Sequence, residues 1–341
     1  MKKSRIILMG FGNVGRAFVQ LVREKREVCA TKYGFLLSLV AVFNSKGGFL
    51  LPEGAAGKES LLDRDDDLDW ERSPFWRGGR ILEEAMESHP AGVFVECTPS
   101  NIKTGEPALN YIRQAIEKGW HVVTANKGPL VADLAGIMQR TEKKGVCLGM
   151  SGATAAALPT LDVALHSLAG ADIRRIEGIL NGTTNFILTR MKEGRDYKAA
   201  LEEAQKKGIA ERDPSQDVEG WDTAAKILII ANAVFRSGYT LDDVRVEGIT
   251  RVPPKLWEEA RKKKKTPKLL GRYSRDEENP IMESRLCLLE PSHPLAGVNG
   301  AQKGITFFTD TMDTITVIGG KSDPRGAAAA LLKDIINIYR T

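Results

Sequence analysis

Asp222 and Lys226 stand four residues apart in GWDTAAKILIIANAVF, residues 220–235. Spacing of i,i+4 puts both on one face of a helix. That helix is apolar on nearly every other face, which predicts burial. A surface ion pair of this kind would contribute only about 0.3–0.5 kcal/mol. A buried pair is costly and is rarely kept for stability alone, so both residues are candidates for chemistry. A lysine so placed can donate a proton to a carbonyl oxygen or take one from an alcohol, with the carboxylate holding it in position. The loop just upstream, Gly208 to Asp217, carries Glu211, Asp213 and Asp217 around Pro214. A solvated loop explains that composition equally well; its link to the Asp222/Lys226 helix suggests ligand contact. A further loop, Asn181-Gly182-Thr183-Thr184-Asn185, lies between a predicted strand and a predicted helix. Its N–H groups and hydroxyls suit a carboxylate, or simply cap the helix.

A second group sits near the amino terminus. Gly10-Phe11-Gly12-Asn13-Val14-Gly15 has the spacing G-x-G-x-x-G, follows a predicted strand and opens a predicted helix. In that context Gly10 permits a tight turn, Gly12 lets backbone approach a pyrophosphate, and Gly15 lets helix and strand pack closely. The next strand is predicted to end near Asn44, where NAD sites usually place a carboxylate for the ribose 2′-hydroxyl. Here the residues are Asn44-Ser45-Lys46, with Lys58 further on. A missing acid and available cations lean slightly toward NADP over NAD. Thr98-Pro99-Ser100 and Thr124-Ala125-Asn126-Lys127 end two later strands, where such sheets bind ligands. Thr and Ser also cap helices, but Lys127 is a cation suited to an anionic substrate or cofactor.

The elements that would hold these groups follow from periodicity. Strands at Arg5–Gly10, Phe35–Phe43, Gly92–Cys97, Trp120–Thr124 and Val146–Leu148 alternate with helices at Asn13–Val28, Glu106–Lys118 and Leu130–Lys143. That alternation predicts an α/β fold with a Rossmann-type parallel sheet. Residues 44–80 are less regular and include an acidic stretch, Asp63 to Asp69, which fits a solvated helix or loop. Beyond residue 150, strands at Ile173–Leu180, Lys268–Ser274, Arg285–Leu289, Gly304–Thr309 and Thr314–Ile318 no longer alternate with helices, which suits a second, α+β domain. The expected division is 1–150 for dinucleotide binding and 151–318 for the second domain. Residues 319–341 form a terminal helix, centred on Ala327–Tyr339, that packs back on the first.

Composition narrows the class. The 341 residues are 42% hydrophobic and 27% charged with a net charge of +5, which is ordinary globular usage. The basic run Lys262–Lys265 has no interleaved aromatic residue and reads as a wet helix face, so no nucleic-acid partner is expected. The four cysteines form no CxxC pair, which argues against zinc sites and redox dithiols, with a reducing cytoplasm as the default. The amino terminus lacks the long apolar run of a signal peptide. The longest apolar runs, such as Ile227 to Ala231, are too short to span a membrane.

Taken together, GFGNVG (10–15), CTPS (97–100), TANKGPL (124–130), EGILNGTTNFIL (177–188), ERDPSQDVEGWDTAAK (211–226) and SHPLAGVNG (292–300) resemble homoserine dehydrogenase, in the family's order and over nearly the whole chain. The compact length resembles the short form, without aspartate kinase or a carboxyl-terminal regulatory domain. The resemblance implies reduction of aspartate 4-semialdehyde to homoserine with NAD(P)H, on the route to threonine and methionine. It implies Lys226 as acid/base, Asp222 as the residue that positions the substrate, Glu211 on the substrate amino group and Asp217 lining the pocket. Gly182 and Thr183 would meet the substrate carboxylate. Lys127 would lie between cofactor and substrate, with Thr98, beside Pro99, at the nicotinamide ribose. A homodimer built through the second domain is implied as well. The family binds a monovalent cation at backbone carbonyls, which would be those of Thr154, Ala156 and Leu158, but Ser151 stands where its glutamate is expected. Ile209 replaces a frequent tyrosine, and the turn before the last helix is Gly319-Gly320-Lys321-Ser322-Asp323. These departures leave two other readings: a dehydrogenase for another small amino-acid substrate, or a catalytically silent cofactor-binding paralogue.

Overall fold

The computed structural model describes residues 2–51, 71–79, 81–275, 280–320 and 323–340. Lys58, the acidic stretch Asp63 to Asp69, and Lys321 and Ser322 of the last turn lie outside them. The chain divides into two compact units, Met1–Ala156 with Asp323–Thr341, and Ala157–Ser322.

The first unit is built on seven strands: β1 (Lys2–Met9), β2 (Phe35–Phe43), β3 (Gly47–Leu50), β4 (Trp76–Gly78), β5 (Val93–Glu96), β6 (His121–Thr124) and β7 (Leu148–Gly149). Their order is β4-β3-β2-β1-β5-β6-β7. The five strands from β2 to β7 in that order are parallel, as their βαβ connections require. β2 reads FLLSLVAVF, the near-continuous apolar run of a strand covered on both faces. β3 and β4 extend the sheet antiparallel at one edge. This corrects the irregular reading of residues 44–80 on both sides of the undescribed segment. The helix Asn13–Tyr33 packs against the terminal helix Pro324–Arg340, and Phe18, Leu331 and Ile335 lie in one buried cluster. Strand order reverses at β1, so a crevice opens beyond the carboxyl ends of β1 and β5, where such sheets bind ligands.

The second unit is an α+β layer. Its strands are β8 (Ile173–Ile179), β9 (Arg245–Val246), β10 (Thr266–Ser274), β11 (Ile281–Leu289), β12 (Lys303–Thr309) and β13 (Thr314–Gly319). They are ordered β13-β12-β8-β10-β11-β9 and all pair antiparallel except β9 with β11. The helix Trp221–Phe235 lies against β10 and β11, with Ile227 to Ala231 fully buried. A helix that is apolar nearly all round thereby takes the core position its sequence demands. Among the described residues no helix is long and apolar enough to cross a membrane.

Candidate active site

The crevice above β1 and β5 is a cavity of about 1000 Å³. Gly10, Phe11, Gly12, Asn13 and Val14 form one wall, and Thr98 and Pro99 another. Gly10 has φ +100°, a left-handed value, and a Cβ there would sit 2.6 Å from the Cys97 carbonyl carbon. Gly15 lies behind the wall: a Cβ would meet Gly10 O at 2.1 Å, so only glycine lets the helix seat on the strand. Nothing lies within 4 Å of a Cβ built on Gly12, the residue that caps the helix Asn13–Tyr33. The loop therefore offers open backbone and a positive helix end to a pyrophosphate, and it fits a dinucleotide. Asn44, Ser45 and Lys46 line the cavity. Asn44 Oδ1 accepts from the N–H groups of Lys46 (2.8 Å) and Gly47 (3.1 Å), so its side chain is spent on the turn. Lys46 Nζ lies 3.5 Å from Glu71, both about half exposed.

The strand ends flanking the cavity are tied together by a carboxyl group that sequence reasoning missed. Glu96, the last residue of β5, is fully buried. Its Oε1 accepts from the Thr98 N–H (2.7 Å) and from Thr98 Oγ1, and its Oε2 from Thr124 Oγ1 (3.1 Å). Asn126 Nδ2 donates to Thr98 O (3.1 Å), and Asn126 Oδ1 caps the helix Lys127–Lys144 at Gly128 N (2.9 Å). Burial pushes the Glu96 carboxyl up to about 7, against the opposing pull of the Thr98, Thr124 and Asn126 hydrogen bonds. Lys127 opens that helix half-buried, its N–H donating to Ser100 Oγ at 3.2 Å.

The second unit holds the acid/base pair. Lys226 Nζ donates to Asp222 Oδ2 (2.6 Å) and to Leu180 O (2.9 Å). The side chains are only 15% and 9% exposed, so this is not the exposed pair that the spacing alone would allow. Asn181 is the hub, a role that its place in a short polar loop does not reveal. One amide donates to both Asp217 Oδ1 (2.6 Å) and Asp222 Oδ2 (2.8 Å), while its Oδ1 accepts from Thr184 N (2.9 Å) as helix cap. Burial first, and then the Asp222 charge, raise the Asp217 carboxyl above the usual carboxylate range; Lys226 pulls it back. Gly182 and Thr183 begin the helix Gly182–Lys192, and Thr183 Oγ1 donates to Ile209 O (3.0 Å). Lys226, Asp222, Asn181 and Asp217 thus form one network. Glu211 is exposed and its carboxylate has no partner among the described residues.

Ser151 is buried and bound differently from a cation-balancing glutamate. Its N–H and Oγ donate to the Asp334 carboxylate at 2.9 and 2.8 Å, and Lys333 Nζ donates to its Oγ at 2.8 Å. Burial raises the Asp334 carboxyl. Thr154 and Ala156 belong to the first unit and Leu158 to the second. The local carboxylate is thus committed to Ser151 and an ammonium group, and the donor set does not fit a cation held beside a free carboxylate.

Two family models match the chain: "Homoserine dehydrogenase" over residues 159–336 and "Homoserine dehydrogenase, NAD binding domain" over 10–148. A homoserine dehydrogenase of Methanocaldococcus jannaschii is 36% identical over 339 residues, covering 98% of each chain. An NAD(+)-dependent homoserine dehydrogenase of Pseudomonas canavaninivorans is 33% identical, covering 100% of this chain and 97% of that one. The crystal structure of a putative homoserine dehydrogenase from Archaeoglobus fulgidus superposes with a TM-score of 0.85 at 34% identity, covering 98% and 99% of the two chains. The glycine loop and its cavity, the buried lysine–aspartate pair and these likenesses over the full length agree, and the chain belongs to the homoserine dehydrogenase family, NAD(P)-dependent oxidoreductases acting on a CH–OH group.

Proposed function

We propose that this chain interconverts L-homoserine and L-aspartate 4-semialdehyde with Lys226 as the acid/base. The observation that carries this reading is the state of the Lys226 amine. An ammonium has three N–H groups, and Lys226 commits one to Asp222 and one to Leu180 O, leaving the third for a substrate oxygen. The bound nicotinamide supplies or accepts the hydride. In reduction, Lys226 gives a proton to the aldehyde oxygen as the hydroxyl forms, then regains one from solvent. In oxidation it takes the hydroxyl proton. Asp222 holds the amine in line from the preceding helical turn. Asp217 and Asp222 outnumber the single Lys226 cation of the network, which suits the substrate's α-amino group, and Glu211, exposed on the loop leading to that network, is a further partner for it. The N–H groups of Gly182 and Thr183, at a helix N-terminus and without an acceptor among the described residues, suit its carboxylate. Purified protein given homoserine and NADP⁺ or NAD⁺ should show growth of reduced-nicotinamide absorbance. A chain that binds dinucleotide and turns over neither pair would be the silent paralogue, and one that prefers another amino alcohol would have a different substrate.

Cofactor choice follows from the end of β2. The absence of a carboxylate there, and Lys46 in the cavity wall, whose ion pair among the described residues is an exposed one of small worth, favour NADP over NAD. Lys46→Glu should lower the ratio of kcat/KM for NADP⁺ to that for NAD⁺ by about tenfold or more, the scale of one hydrogen bond to a charged group. A ratio that stays put would remove Lys46 from the ribose end. Ser151 and the engaged Asp334 offer no free carboxylate to balance a monovalent cation. β13 is a sheet edge reading TITVIG, uncharged and with Ile318 exposed. Such an edge favours self-association, which supports a homodimer through the second unit. All four cysteines are free, in keeping with a reducing, cytoplasmic setting.

A further inference from the structure

The basic run at the end of the helix Pro254–Lys262 is not absorbed by the dehydrogenase reading. The fold supplies what the run lacks in sequence. Trp257 stands i,i−4 from Arg261 and so shares its helical face, and Tyr197 arrives from another helix. Together with Lys192, Arg195, Arg261 and Lys264 they line one cavity of about 760 Å³, the size of a small-molecule site.

Two features mark this cavity as built for an anion. Lys192, Arg195, Arg261, Lys264 and Lys265 face it, against a single lining carboxylate, Asp196. That carboxylate is already engaged, since its Oδ1 caps the helix Tyr197–Lys206 at Ala199 N (2.8 Å). Lys265 has Glu290 at 2.7 Å and Lys192 donates to Thr266 Oγ1 at 2.9 Å. Arg195, Arg261 and Lys264 have no side-chain partner among the described residues. Like charges gathered in a concave wall focus a positive potential that only an anion relieves. Lys264 also sits at φ +55°, in the left-handed position after a helix that glycine normally takes. A side chain kept at such a position at a conformational cost points to a use for that side chain.

We propose that this cavity is a second ligand site, and that it takes a small polyanion carried on a planar ring, with the chemistry of a nucleoside triphosphate. The cations would hold the phosphates, and Trp257 or Tyr197, both half-buried, would stack the ring. A wall of one nucleotide's size suits a free small molecule better than a polymer.

The test is calorimetric titration of the full chain with magnesium-free ATP, the dinucleotide cavity first being saturated with NADP⁺. One ATP should bind per chain, with inorganic tripolyphosphate about tenfold weaker because it cannot stack. Arg261→Glu with Lys264→Glu should weaken ATP by at least about tenfold, with circular dichroism and thermal midpoint matching the wild type. A readout needing no variant is lysine acetylation followed by mass spectrometry: ATP should protect Lys264 and Lys192 in the wild-type chain. Absence of ATP binding, or binding that ignores the double charge reversal and leaves both lysines reactive, would overturn the site. Equal affinity for tripolyphosphate would overturn the ring. A short single-stranded RNA that displaces ATP and binds about a hundredfold tighter would overturn the small-molecule assignment.

Discussion

Lys226→Ala should lower kcat for homoserine oxidation about a thousandfold, inside the roughly hundred- to ten-thousandfold range of a positioned general acid/base. Loss of a group that acts only as the proton moves should reduce kcat and kcat/KM together, with little change in KM. Lys226→Arg separates proton transfer from charge. It keeps a cation opposite Asp222 and Leu180 O, but a guanidinium stays protonated throughout the working range and cannot serve as a base. It should therefore be nearly as slow as alanine. Asp222→Asn keeps the shape that Asn181 meets and removes only the charge that holds the amine, so a loss of about tenfold is expected. Removing one partner of a buried pair strands the other charge, so each variant needs its fold verified by circular dichroism. An alanine variant that kept more than about a tenth of wild-type turnover would remove Lys226 from the proton path.

What could be read from the sequence, and what could not, divides along the range of the interactions. The parallel sheet and its glycine loop were legible because period, turn residues and spacing are local. The Asp222/Lys226 contact was legible for the same reason: four residues on a helix fix the geometry. The antiparallel pairing of β3 with β4 was not. Gly47-Gly48 reads as a chain breaker, yet a Cβ on Gly47 would meet Arg77 O at 2.4 Å and one on Gly48 the Phe43 ring at 2.4 Å. These glycines are there for close strand packing. Asn181 looks like an ordinary helix cap in sequence, and it is one; that the same side chain bridges Asp217 and Asp222, 36 and 41 residues away, is set by the fold alone. Asp334 is hidden in an amphipathic terminal helix until Ser151, 183 residues distant, donates to it. The basic run at Lys262–Lys265 has no interleaved aromatic residue, and the helix turn and a distant helix bring Trp257 and Tyr197 into one cavity wall with Lys264 and Lys265.

Glu96 shows the same limit with an energetic consequence that can be measured. At the end of β5 it looks like a strand terminus, but its carboxyl lies under the cavity wall with Thr98, Thr124 and Asn126. Burial outweighs the hydrogen bonds acting on it, and it pushes the neighbouring Cys97 thiol well above its ordinary range as well. With the folded carboxyl at about 7 against an ordinary 4.5, the folded chain holds a proton that the unfolded chain has lost across that interval. Stability must then fall as pH rises from about 4.5 to about 7 and level off above, by about 3 kcal/mol from this group. Glu96→Gln is neutral at every pH, and its side-chain oxygen can accept from the Thr98 N–H as the carboxyl does. The difference in unfolding free energy between the variant and the wild type should therefore shift by about 3 kcal/mol in the variant's favour between pH 4.5 and pH 8, read by denaturant unfolding at both. Asp217 and Asp334, also raised by burial, titrate alike in both proteins and cancel. A difference that is the same at both pH values would mean that Glu96 is ionised in the fold at neutral pH. Thr98 and Thr124 would then be donors to a carboxylate, and the cavity wall would carry a buried negative charge beneath its ligand.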